Sequence, residues 1–195
     1  YLAKNNYEIY YVNMLNEPLK IDGVKNYWLK QEIKINCGPL NPLMAIINNI
    51  LAFGRIKALI KEVKPDIVHG HGLNFAGIFA AYSGFSPVIV TTRGSDVMEI
   101  QDMILPQQYL IKQSLIKADV VTGSSEALGI KSQKLGMDKK KFALVFFGVD
   151  GNVFKPRETN DLKKELGLKN EKIIFCPRAI GPIYRTEVLI RSFAQ

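Results

Sequence analysis

The chain has 195 residues, of which 47% are apolar and 23% charged, an ordinary composition for a folded globular protein. Its two cysteines, Cys37 and Cys176, lie far apart without metal-ligand spacing, so we expect reduced thiols rather than a disulfide framework. No uninterrupted apolar run reaches the roughly 18 residues of a membrane span. Fibrous, disulfide-stapled and membrane-spanning classes are therefore not expected.

The chain carries 26 Lys and Arg against 18 Asp and Glu, a net charge of +8. About half of this excess comes from five lysines within eleven residues: Lys131, Lys134, Lys139, Lys140 and Lys141. Such a cluster indicates either a solvated face or attraction to an anionic lipid surface, phosphate or nucleic acid. No nucleic-acid-binding motif accompanies it, so nucleic acid is the least favoured partner.

Six short apolar runs bounded by turn residues predict β-strands. They are residues 8–12, 66–69, 88–92, 119–122, 142–146 and 172–176. Because these runs lack polar alternation, we expect burial on both faces, as in a parallel sheet covered by helices.

Segments between the strands predict helices, with Gly54 as a weak point in the first. They are residues 42–63, 75–83, 106–117, 124–135, 162–166 and 184–194. Alternating strands and helices predict a Rossmann-like, doubly wound α/β sheet, in which ligands bind at the carboxyl ends of the strands.

Glycine, proline and charged residues punctuate positions 147–171. We therefore predict a first domain over residues 1–150, a linker over 151–171 and the start of a second Rossmann-like domain over 172–195. Residues 1–4 resemble the tail of a helix that ends at Asn5 and Asn6. We accordingly expect a fragment that lacks the first strand and glycine loop of its first domain and is not a complete enzyme.

The first candidate site is the loop His69-Gly70-His71-Gly72, directly after a predicted strand. Two histidines could ligate a metal, but no third ligand has recognisable spacing. Hydrogen bonding to a polar substrate is favoured over metal binding, and loop packing is the alternative.

The next predicted strand ends in Thr92-Arg93-Gly94-Ser95-Asp96. Arg93 offers a planar cationic fork suited to phosphate or carboxylate, and Gly94 permits close backbone approach. Ser95 or Asp96 could instead cap the following turn.

Two further segments follow predicted strands. Ser124-Ser125-Glu126 is typical of a plain helix N-terminus. Arg178 leaves a strand ahead of a helix, which favours a diphosphate site over an ordinary surface arginine.

In this order and spacing the segments resemble the group 1 family of retaining, sugar-nucleotide-dependent glycosyltransferases, which have the GT-B fold. The matching segments are KPDIVHGH (64–71), TTRGSD (91–96), ADVV (118–121), SSE (124–126), FGVD (147–150), FKP (154–156) and Arg178 with LIRSF (189–193).

The resemblance implies two Rossmann-like domains, the first mainly binding the acceptor and the second the sugar nucleotide. It places His69, His71, Gly94, Ser95 and Asp96 on the acceptor side. It makes His71 and Arg93 the candidate catalytic residues.

For the donor, the resemblance implies that Arg178 contacts the diphosphate. The nucleotide sugar is then a substrate, and no metal or other cofactor is expected. Arg93 replaces a histidine of many members, and Tyr184 replaces their lysine, so we expect Tyr184 or Arg185 to substitute. The implied parent acts in polysaccharide, glycolipid or cell-envelope glycan synthesis.

Two alternatives remain open from the sequence: a sugar-nucleotide epimerase of the same fold, and a non-catalytic sugar- or lipid-binding module. The expected location is cytoplasmic, with peripheral contact to an anionic inner membrane face through the lysine cluster.

Overall fold

The computed structural model describes residues 5–13, 20–29, 41–156, 160–169, 171–181 and 184–194, with side chains for all of these except 41–46 and 160–162. The chain divides into two compact units, Tyr1–Gly148 and Val149–Gln195. The prediction of a linker between two domains stays a prediction, as does the helix tail at 1–4, which lies outside the described residues.

The first unit contains two parallel sheets. The small sheet pairs β1 (Tyr10–Asn13) with β2 (Lys25–Trp28). The larger sheet holds four parallel strands in sequential order: β3 (Val68–His71), β4 (Val88–Thr91), β5 (Val120–Gly123) and β6 (Phe142–Leu144).

Helices connect the successive strands of the larger sheet, as parallel pairing requires. The helices of the first unit are α1 (Asn41–Val63), α2 (Ala76–Ala81), α3 (Ser95–Met98), α4 (Leu105–Lys117) and α5 (Glu126–Lys134). Parallel strands joined by helices confirm the predicted Rossmann-like α/β class.

Local sequence signals explain where two of these helices start and stop. Pro106 lies in the first turn of α4, where its missing N–H costs nothing. The Ser125 hydroxyl accepts a hydrogen bond from the Leu128 amide at 3.4 Å and so caps α5. Gly136, just past α5, has a φ of 107°, which glycine adopts without strain. Gly54, by contrast, does not interrupt α1.

One lysine of the basic cluster has a structural role. Lys141 Nζ donates hydrogen bonds to the backbone oxygens of Ile116 and Ala118, at 2.6 and 2.8 Å. These carbonyls lie at the carboxyl end of α4, where a cation is favourable. Lys141 therefore stabilises the helix end.

The core lies on one face of the larger sheet. Val88, Val90 and Val121 point into it and are buried together with Ile111 and Leu115 of α4. The alternate residues of the strands are only half-buried: Ile89, Thr91, Val120 and Thr122. The expectation of burial on both faces is therefore confirmed only in part for these strands, because fully buried side chains alternate with half-buried ones along them.

A short strand and a short α-helix were not predicted, nor were the 3-10 helices Ile100–Asp102 and Lys139–Lys141. Strand β2 has the sequence Lys-Asn-Tyr-Trp, which carries no continuous apolar run. Helix α3 is a single turn that follows Gly94 and was expected to be loop. Both are too short to produce a periodic signal.

The second unit contains α6 (Asn160–Glu165) and α7 (Thr186–Phe193). The predicted strand over residues 172–176 was wrong, since these residues form neither helix nor strand. Its apolar side chains are exposed, Phe175 by 81%. A strand forms only when a neighbouring strand accepts its backbone hydrogen bonds, and the described part of this unit supplies none.

Candidate functional site

The two histidines are residues of β3 itself, so the prediction of a loop over residues 69–72 was wrong for 69–71, which pair with β4. His71 ends the strand, beside the end of β4. His71 and Thr91 are register partners in the parallel pair. The rings of His69 and His71 are 4.0 Å apart between centroids, with 32° between their planes. The larger sheet therefore places both histidines at the edge where α/β folds bind ligands.

A chain of hydrogen bonds runs from His69 across three neighbouring strands. His69 Nε2 and Thr91 Oγ1 are hydrogen-bonded at 2.7 Å, and Thr91 Oγ1 and Thr122 Oγ1 at 2.7 Å. We call His69, Thr91 and Thr122 the polar ladder. Neither threonine was predicted to be a site residue. Their signal in the sequence is a threonine near the end of each of two apolar strands.

The environment keeps both histidines uncharged near neutral pH. Both histidines are exposed, but the covered part of each ring loses water contact. This partial desolvation, and then the neighbouring His71, lowers the pKa of His69 from 6.5 to about 4. Partial desolvation, and then the charge of Arg93, lowers the pKa of His71. A neutral imidazole has one donor and one acceptor nitrogen, which suits a hydroxyl group that also donates and accepts.

Asp96 holds the loop after β4 in place. It is only 2% exposed, and its carboxylate accepts hydrogen bonds from the backbone amides of Leu73, Arg93 and Gly94 at 2.9 to 3.1 Å. It thus ties the loop after β3 to the loop after β4. Its oxygens face backbone amides, so it acts on the site by positioning Arg93 and Gly94.

Arg93 lies against Gly72, the residue that follows β3. A Cβ atom added at Gly72 would stand 3.1 Å from Arg93 Cδ, so the glycine leaves room for the arginine stem. Arg93 and Ser95 are exposed, and Gly94 has a φ of 130°, which favours glycine. His71, Arg93 and Gly94 are therefore grouped at one sheet edge.

Glycines bring α2 unusually close to β3. A Cβ atom at Gly70 would stand 2.7 Å from the Ala76 oxygen, and one at Gly77 2.7 Å from the Gly72 oxygen. These are backbone atoms that cannot swing aside. This close contact between α2 and β3 determines how the chain turns from the end of β3 into α2.

Ser124-Ser125-Glu126 forms a helix N-terminus, as the motif predicted, since Ser125 caps α5. In the described residues, neither Ser124 nor Glu126 forms a hydrogen bond to the polar ladder. The observed role of the Ser124-Ser125-Glu126 segment is therefore to begin α5.

In the second unit, Arg178 stacks on Tyr184. The guanidinium carbon is 4.6 Å from the centroid of the tyrosine ring. Arg185, with a φ of 46°, directly precedes α7, and the buried Thr186 hydroxyl in the first turn has no hydrogen-bond partner in the described part of the chain. The structure thus brings Arg178 and Tyr184 together.

The described residues contain neither a cluster of metal ligands nor a membrane-spanning helix. No three His, Cys, Asp or Glu side chains there come together in a way that could hold a metal ion. No helix in that part of the chain combines the length and apolarity of a membrane span.

Comparison with known proteins bears on the first unit. No curated protein matches the chain. A family model described as "Glycosyl transferase 4-like" matches residues 1–125, which is more than half of the chain. The matched segment includes His71, Arg93, Asp96 and the polar ladder. The chain therefore belongs to the glycosyl transferase 4-like family.

Proposed function

We propose that this protein transfers a hexose from a nucleoside-diphosphate sugar to an acceptor, with retention of the anomeric configuration. Family membership supports glycosyltransferase activity in general. The observation that carries the proposal is the polar ladder together with the adjacent His71 ring, with both histidines neutral at the carboxyl edge of the sheet.

The first unit would bind the acceptor and the transferred sugar. His69 and His71, both neutral, would hydrogen-bond sugar hydroxyls. Arg93, next to His71, would donate hydrogen bonds to the transferred sugar; it is a donor only and not a base. Gly94 and Ser95 would shape this loop, and Asp96 would hold it.

The second unit would bind the donor diphosphate through Arg178, with Tyr184 or Arg185 as its neighbour. The leaving nucleoside diphosphate gains negative charge as the glycosidic bond breaks. A fixed cation at that position stabilises the transition state more than the ground state. This electrostatic role would require no metal.

The proposed setting is polysaccharide, glycolipid or cell-envelope glycan synthesis at the cytoplasmic face of a membrane. Lys131, Lys134, Lys139 and Lys140 would supply the basic contact, since Lys141 already caps α4. Binding to liposomes that does not change with their anionic lipid content would contradict this membrane contact.

The test is Arg178→Ala in the full-length protein, with Arg191→Ala as the matched control. Arg191 is an exposed arginine of α7 in the same unit. We expect Arg178→Ala to lower transfer about a hundredfold at unchanged unfolding free energy, and the control to stay near wild type. Activity within a few-fold of wild type would refute the role of Arg178.

Calorimetry tests the wider proposal. Nucleotide sugars are titrated into the full-length protein, first alone and then with candidate acceptors. Heat with one donor and a product that keeps the anomeric configuration is the expected result. No heat with any donor would refute the transferase and leave a non-catalytic module.

A further inference from the structure

A cavity lies at the amino-terminal end of the larger sheet, opposite the candidate site. Its volume is about 280 Å³. The residues that line it come from the end of α1 and from the turns before β3 and β4: Lys57, Ile60, Lys61, Lys64, Pro65, Ser83, Gly84 and Phe85. None of the residues of the candidate site contributes to it.

Three lysines converge on this cavity. Lys57 and Lys61 are four residues apart on α1, and Lys64 directly follows the helix. Like charges at this spacing repel each other. None of the described residues that line the cavity is acidic, and within the described part of the chain none of the three lysines forms an ion pair.

The helix dipole explains only part of this arrangement. Lys61 lies in the last turn of α1, where a cation is favourable. Lys57 lies before that turn, and its Nζ is 4.8 Å from the centroid of the Phe53 ring. Because the dipole effect is confined to the last turn, the helix dipole does not explain the position of Lys57.

The opposite wall of the cavity supplies a turn and an aromatic ring. The Ser83 hydroxyl donates to the Ala80 oxygen at 2.7 Å and accepts from the Phe85 amide at 3.2 Å, which fixes the turn. Gly84, with a φ of 79° and no side chain, leaves this wall open. The lining therefore joins cationic and apolar surface in one small cavity.

We infer that this cavity binds a small phosphate-bearing molecule, with the phosphate against Lys57, Lys61 and Lys64 and its attached group against Phe85. Lysine ammonium groups bind phosphate as point charges. The volume lies at or below the lower end of the range for ligand pockets, about 300 Å³, so a sugar nucleotide is too large. The site is thus distinct from the proposed donor and acceptor sites.

The test is pyrophosphate binding, measured by NMR from the chemical shifts of the Gly84 and Phe85 amides. Arg178→Ala is the background, so that the proposed donor site does not compete. In that background, Lys61→Gln with Lys64→Gln should weaken binding about tenfold or more. The matched control, Lys163→Gln with Lys164→Gln, removes the same charge from exposed residues of α6 that do not line the cavity, and should change binding less than twofold.

Two results would overturn the inference. One is an equal loss in both double variants, which would indicate general charge attraction. The other is the absence of saturable shifts at Gly84 and Phe85 in millimolar pyrophosphate. Neither result bears on transfer activity, so the proposed function would stand.

Vesicles identify the source of the phosphate once pyrophosphate binding is seen. The comparison is phosphatidylcholine vesicles with and without phosphatidylglycerol. If Lys61→Gln with Lys64→Gln weakens sedimentation with the anionic vesicles, the ligand is a lipid head group. If sedimentation is unchanged, the ligand is a soluble phosphate compound.

Discussion

Among the described residues, an aspartate at each end of the larger sheet accepts hydrogen bonds from the backbone, but the two aspartates differ in burial. At the carboxyl end, Asp96 is 2% exposed and accepts from the amides of Leu73, Arg93 and Gly94. At the amino end, Asp119 is exposed and accepts from the Val88 amide at 2.7 Å.

The difference in burial determines how much each aspartate contributes to the free energy of unfolding. When an exposed acceptor is removed, water can replace it. When a buried acceptor is removed, the amides facing it lose their partner in a place that water reaches poorly. The end that carries the candidate site should therefore be the more sensitive of the two ends.

The largest expected effect is that of Asp96→Ala. It leaves the buried Leu73 amide unpaired and should lower the free energy of unfolding by about 3 kcal/mol, against about 1 kcal/mol for Asp119→Ala. Urea unfolding of the two variants measures both. Equal losses would show that burial does not distinguish the two aspartates.

A glycine pair extends the comparison from hydrogen bonds to packing. Gly70→Ala places a Cβ atom 2.7 Å from backbone atoms of α2 and should cost about 2 kcal/mol. At the amino end, a Cβ atom at Gly84 meets nothing within 4 Å, so only its φ of 79° opposes alanine, at about 1 kcal/mol. Thermal unfolding compares the two variants, and a larger loss for Gly84→Ala would contradict the contact at Gly70.

The smallest expected effect is a dependence on pH at the carboxyl end, because the His69 side chain is exposed and solvent screens most of the free energy that its pKa shift represents. The pKa of His69 is lowered to about 4 in the folded chain, against 6.5 when unfolded. Between these values the unfolded chain binds a proton that the folded chain does not, so stability falls as the pH drops from 6.5 to 4. His69→Gln should remove part of this loss, as measured by urea unfolding at pH 7 and pH 5.

NMR provides the control for the pH prediction. The chain has two histidines, so their ring signals can be assigned with one variant each. His69 should titrate with a midpoint near 4, and His71→Gln should raise that midpoint because the neighbouring charge is gone. A midpoint of His69 near 6.5 in the wild-type chain would refute the lowered pKa of this ring.

Much of the candidate site could be located from sequence because strand ends can be recognised locally. Apolar runs before His69 and Thr92 indicated where two strands end, and the structure brings His71 and Arg93 together there. The role of Asp96 could not be read in the same way. A carboxylate after a glycine can contact a substrate, a helix end or a distant loop, and only the fold selects among these.

The sequence alone determined the α/β class, most elements and the residue types at the strand ends, because periodicity and capping depend on a few consecutive residues. Tertiary structure decided which of them meet. The polar ladder joins residues 22 and 31 positions apart, and Asp96 reaches Leu73 across 23. It also decided against a strand at residues 172–176, because a strand depends on a neighbour that accepts its hydrogen bonds, which its own residues do not provide.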